Sequence, residues 1–149
     1  YALTDNSAIM GNFGWQNWKQ YSDIGISVDA ETTTRNIQAD QHLHDTWHQA
    51  IGAQSRFARA WLLSVGFAHD SAPVSKFHRT PTTAFDENLR FGAGLQYDVN
   101  EQVTVGVAYE FVDLGEAEIA NLTRRAGTLD GGYSSNHIHF AALNVVMKF

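Results

Sequence analysis

"LRFGAGLQYDVNEQVTVGVAYEF", residues 89–111, decides the fold class. Leu89, Phe91, Ala93, Leu95, Tyr97 and Val99 share one parity, while Arg90, Gly92, Gly94, Gln96 and Asp98 share the other. Beyond the tight connection "DVNEQ" (98–102) the scheme repeats. Val103, Val105, Val107, Tyr109 and Phe111 oppose Thr104, Gly106, Ala108 and Glu110. Successive side chains on a strand point to opposite faces, so this period of two predicts strands with one face toward an apolar medium.

The pattern extends over the whole chain. "WLLSVGFAHD" (61–70) sets Trp61, Leu63, Val65 and Phe67 against Leu62, Ser64, Gly66, Ala68 and Asp70. "TWHQAIGAQSRF" (46–57) alternates more weakly, and "HFAALNVVMKF" (139–149) sets Ala141, Leu143, Val145, Met147 and Phe149 against a mixed face of Ala142, Asn144, Val146 and Lys148. A long first strand is predicted in "AIMGNFGWQNWKQYSDIGISV" (8–28), with a change of phase at Gln16–Tyr21, around Trp18. One extra residue moves every later side chain to the other face, so a bulge or kink is expected there. The count is six strands. Short links, "FARA" (57–60) and "DVNEQ", alternate with long polar segments around 29–44, 70–87 and 115–135, and "LTDNSA" near the start reads as a further tight turn after a strand stub.

Bulk composition narrows the classes. The chain has 149 residues, enough for one domain, with 10 basic and 16 acidic side chains and a formal charge of −6. That balance supplies no basic stripe for nucleic acid. Without cysteine, disulfides, zinc-thiolate centres and thiol nucleophiles are excluded. No run of ~18 apolar residues could form a spanning helix, but a membrane barrel needs apolar residues only at alternate positions.

Both a soluble sandwich and a membrane barrel alternate. Sandwich strands usually run ~5–6 residues, and these are longer, closer to the ~9–11 that cross an apolar slab at ~45°. Trp15, Trp18, Trp47, Trp61, Tyr97, Phe111 and Phe149 lie near strand ends, where amphipathic rings form girdles at membrane interfaces. The second face, rich in Gly, Ala, Ser, Gln, Arg and Glu, suits a wet or ligand-lined lumen better than a dry core. The expectation is an all-β, antiparallel, up-and-down transmembrane β-barrel segment. Six strands cannot close around filled side chains, so they belong to a larger barrel or to one shared between chains.

Several blocks carry a likeness: "GNFGWQNWKQYSDIGISV", "DTWHQAIGAQSRFARAWLLSVGFAHDSAPV", "RTP" and "ENLRFGAGLQYDVNEQVTVGVAYEF", in this order and spacing. Together with the terminal Phe they resemble the C-terminal portion of the FadL/TodX outer-membrane transporters of long-chain fatty acids and other hydrophobic compounds. The likeness covers nearly the whole chain, and with it residues 1–149 are read as one C-terminal barrel part. It implies the last six strands of a fourteen-stranded barrel in the bacterial outer membrane. The N-terminal hatch and the first half of the barrel lie outside these residues. Transport would be passive and cofactor-free. The implied partners are a fatty-acid-like ligand, outer-membrane lipid and lipopolysaccharide, and the barrel assembly machinery through Phe149. A soluble or shared-barrel lipid-binding protein and a general porin-like barrel are the alternatives.

A fatty acid needs an apolar groove for its tail and a cation or hydrogen-bond donors for its carboxylate. Arg90, Glu110, Gln96 and His48 are the lumen-facing candidates, with Arg90 foremost; the structural alternative pairs Arg90 with Glu110 on the next strand. Arg56, Asp98 and Lys148 read as solvated charges at the short-turn rim. Asp70, Ser71 and Pro73, in "DSAPV", together with Trp18, are candidates for shaping the vestibule or distorting the wall. Proline lacks the N–H of a ladder bond and ends or interrupts pairing there; a strand simply running into a loop is the plainer reading. His42/His44 and His137/His139 form H-x-H pairs without a completing carboxylate or Cys, so no metal is assigned. No ordered nucleophile and base emerges, and no enzyme is expected.

Overall fold

The computed structural model describes residues 1–30, 33–40, 42–83, 86–124 and 127–149. Its main sheet runs β1 (Ala2–Thr4), β2 (Ser7–Gln16), β5 (Thr46–Phe57), β6 (Trp61–Asp70), β7 (Asn88–Asp98), β8 (Val103–Asp113) and β11 (His137–Met147), each antiparallel to its neighbour. Two hairpins stand in separate two-stranded sheets: β3 (Asp23–Ala30) with β4 (Thr33–Asp40), and β9 (Ile119–Arg124) with β10 (Gly127–Gly131). The six long strands are those read from the period of two, and β1 is the expected stub. Between β5 and β6 the chain reverses through Ala58 and Arg59, both with φ in the left-handed region, at 47° and 61°.

Two expectations need correction. The first strand does not run on through a bulge: β2 stops at Gln16, Trp18–Tyr21 form one 3-10 turn, and β3 starts in a different sheet. The change of phase is therefore a strand end. Trp18 Nε1 donates to Gln16 Oε1 at 2.9 Å and Lys19 N to Asp45 Oδ1 at 3.2 Å, which gives the turn partners a continued ladder would otherwise supply. The long segments around 29–44 and 115–135 are not simple loops either, since each contains strands of a hairpin. In β9 the buried Ile119 and Leu122 have opposite parity, so no period of two marks that strand.

The buried apolar residues lie almost wholly outside the wall. Val74, Ala117, Ile119 and Leu122 sit in the long-loop segments, and Val112 is at the end of β8. Arg79 is packed among them at 1% exposure. Its guanidinium donates to the Glu118 carbonyl at 2.7 Å and the Val74 carbonyl at 3.3 Å, and pairs with Asp86 at 2.9 Å. A buried cation survives only with partners of this kind. Ala120 N bonds the Lys76 carbonyl and Asp86 N the Leu114 carbonyl, joining the β6–β7 and β8–β11 connections. Gly115, at φ 70°, is needed where a Cβ would lie 2.9 Å from the Asp86 Cβ.

Arg79→Met is expected to leave Asp86 without its cation and to loosen this cluster while the sheet persists. Limited proteolysis of the full-length protein should then cut within 71–87 or 115–135 faster than in wild type, at unchanged strand content. Equal cleavage would show that the cluster does not depend on Arg79.

Candidate functional site

Register fixes the two faces. From β2 to β11 every cross-strand pair joins residues of the same parity, for example Ile9 with Ala53, Ile51 with Phe67, Phe67 with Phe91, and Phe91 with Phe111. Odd positions therefore form one continuous face. It carries Ile9, Phe13, Ile51, Leu63, Val65, Phe67, Val107, Leu143 and Val145, all exposed. Aromatic pairs lie toward both margins: Trp61–Tyr97 with centroids 4.5 Å apart at the short-turn end, and Phe13–Trp47 at 5.3 Å toward the long-loop end. An exposed apolar face bounded in this way is matched to a lipid slab with two interfaces.

The even face has the opposite character. One row across it reads Met10, Gly52, Gly66, Gly92, Glu110, Phe140, each in register with the next. Three glycines on three adjacent strands leave the wall without side chains between Met10 and Glu110. Two hollows of about 500 and 450 Å³ open there and share Gly66, Gly92 and Glu110 in their linings. The next row, Gln54, Ser64, Gly94, Ala108, Ala142, is also small except at its start. Beyond it Gln96 and Asn144 flank Gly106, where a Cβ would run into Asn144 Oδ1. The three glycines of the row are visible in the sequence one at a time. Their alignment is a property of register.

Toward the long-loop end lies a charged group. Asp70 Oδ1 bonds His48 Nδ1 at 2.7 Å, and Arg90 donates to Asp70 Oδ2. The expected alternative of an Arg90–Glu110 pair is not what forms. Arg90 stands opposite Ala68 and Val112, so Asp70 and Glu110 are both diagonal neighbours, and the guanidinium turns to Asp70. Among the described residues the Glu110 side chain has no hydrogen-bond or ion-pair partner. Arg90 Nε and Asn88 Oδ1 are buried without partners.

Of the vestibule candidates, Asp70 belongs to this group, and Ser71 and Pro73 continue the β5–β6 pairing. Ser71 N donates to the Trp47 carbonyl at 3.0 Å, Trp47 N to Ser71 Oγ at 2.9 Å, and His44 N to the Pro73 carbonyl at 2.6 Å. Pro73 thus interrupts the ladder as an acceptor only, and a Leu43–Val74 bridge follows it. Trp18 stands apart, in the 3-10 turn. At the short-turn rim Arg56 and Asp98, expected to be solvated, pair at 2.6 Å, with Thr104 donating to Asp98 at 2.7 Å.

His137 and His139 lie on the odd face beside Tyr109 and Phe111, and His139 Nδ1 bonds the Tyr109 hydroxyl at 2.6 Å. His42 stacks on His78 at 3.9 Å. Among the described residues no group of three or more His, Asp or Glu side chains is placed to hold a metal.

A family model described as outer membrane protein transport protein (OMPP1/FadL/TodX) matches residues 1–149. The long-chain fatty acid transport protein of Escherichia coli O6:H1 is 24% identical over 105 residues, 70% of this chain and 23% of that protein. The crystal structure of a Pseudomonas aeruginosa FadL homologue aligns with a TM-score of 0.80 at 19% identity, over 99% of this chain and 33% of that one. At that identity the likeness is one of fold: the seven-stranded sheet follows a stretch of an outer-membrane barrel wall. The chain spans about a quarter of the curated relative and a third of the solved one.

Proposed function

Because the chain belongs to the OMPP1/FadL/TodX family of outer-membrane transport proteins, we propose that its even-numbered face lines a passage for hydrophobic small molecules, long-chain fatty acids among them. The chain serves as the C-terminal stretch of the barrel wall, with the remaining strands and a hatch supplied elsewhere in the full-length protein. The observation that carries the reading is the glycine row. A wall stripped of side chains between Met10 and Glu110 offers backbone and methylene surface along which an apolar body can lie without displacing anything. Passage is passive, driven by partitioning from water into the groove and from the groove into lipid. Gln96 and Asn144 offer polar contacts lower on the same face.

The odd face contacts outer-membrane lipid and lipopolysaccharide, and Phe149, of the same parity as Val145 and Met147 in β11, is the residue it offers to the barrel assembly machinery. The long loops lie on the extracellular side. Cells carrying the gene for the full-length protein should take up a labelled long-chain fatty acid faster than cells lacking it. Equal uptake, together with ion conductance by the purified protein, would replace this reading with that of a general porin.

A further inference from the structure

Resting on the transport reading, we propose that Glu110 and the Asp70–Arg90 pair make this stretch of wall select uncharged hydrophobic ligands bearing a hydrogen-bond donor over carboxylates. Beside the glycine row the even face presents one guanidinium and two carboxylates, with His48 as the further titratable neighbour. The guanidinium is committed: Arg90 donates to Asp70, whose other oxygen holds His48. Glu110 is left over. It stands in register between Gly92 and Phe140, lines both hollows, and has no partner among the described residues.

An ionised carboxylate only accepts hydrogen bonds. A ligand lying along Gly66 and Gly92 with its apolar body against Phe140 can therefore offer Glu110 a hydroxyl or N–H and gain a charge-assisted bond. A ligand carboxylate in the same place meets a like charge, with the nearby cation already neutralised. The remaining cations of this face, Arg56 and Lys148, are at the opposite rim, where Arg56 is paired with Asp98. A fatty acid passes this wall with its tail, and an alcohol of equal length is held by its head.

The test is competition for binding of an environment-sensitive apolar dye to the purified full-length protein in detergent, with dodecanol and dodecanoate as competitors. Wild type should favour dodecanol. Glu110→Gln should shift the ratio of the two affinities toward dodecanoate by roughly tenfold, the weight of one partly screened charge contact. Asp70→Asn, which frees Arg90, should shift it the same way. A ratio unmoved in both variants, with both ligands bound, overturns the selectivity and leaves the transport reading standing. Wild-type protein that binds neither ligand overturns both.

Discussion

Gly66→Leu combined with Gly92→Phe is expected to cut uptake of a labelled hydrophobic substrate by roughly tenfold or more, equivalent to about 1.4 kcal/mol or more on passage. Both positions lie in the bare row and both line the two hollows. A phenylalanine brings about 150–250 Å² of ring surface into that space. The backbone tolerates the change. A Cβ at Gly66 has its nearest neighbour at 3.7 Å, the Ile51 carbonyl, and one at Gly92 at 3.9 Å, the Tyr109 carbonyl. Gly66→Ala and Gly92→Ala are accordingly expected to transport nearly as wild type. Heat-modifiable gel mobility of the full-length protein serves as the folding control. Normal transport by the folded double variant would mean that substrate does not use this wall.

Val65→Arg carries the second large effect. Val65 sits on the odd face between Ala53 and Ala93, midway between the aromatic pairs at the two margins. A guanidinium there must enter hydrocarbon, at a cost of ~2–4 kcal/mol near the bilayer midplane. Ser64→Arg, one residue away, places the same charge on the even face, in a row with Gln54 and Gly94, where water and polar groups receive it. Reversible unfolding of the full-length protein in lipid vesicles should show a large loss of stability for the first variant and a small one for the second. Equal losses would refute the assignment of faces.

The faces were legible because alternation needs only the residues themselves. Leu89 to Phe111 already separates an apolar parity from a small and polar one, and the register repeats that division on six strands. What escaped depends on partners distant in sequence. Arg79, in "SKFHRTP", looks like any loop cation; it is buried because two carbonyls and Asp86 converge on it. Arg90 had two carboxylates within diagonal reach, and alternation cannot choose between diagonals, so its pairing with Asp70 and the isolation of Glu110 were not readable. The β3–β4 hairpin lies in a stretch, "DIGISVDAETTTRNIQAD", that by sequence reads as the end of one strand followed by a polar loop.

Among the described residues, most of the buried apolar side chains (Val74, Ala117, Ile119 and Leu122) are in the long-loop segments around Arg79, while Leu63, Val65, Val107 and Leu143 turn much of their surface away from the chain. Their company is a liquid. Truncating a side chain inside a protein costs the lost transfer energy plus the vacancy that rigid neighbours fail to fill. Acyl tails flow into such a vacancy, so truncation on this face costs the transfer share alone. Selection there reads how oily a residue is and is blind to its shape. Leu, Ile, Val and Phe can then trade places freely, and relatives can drift to low identity while the same wall stands.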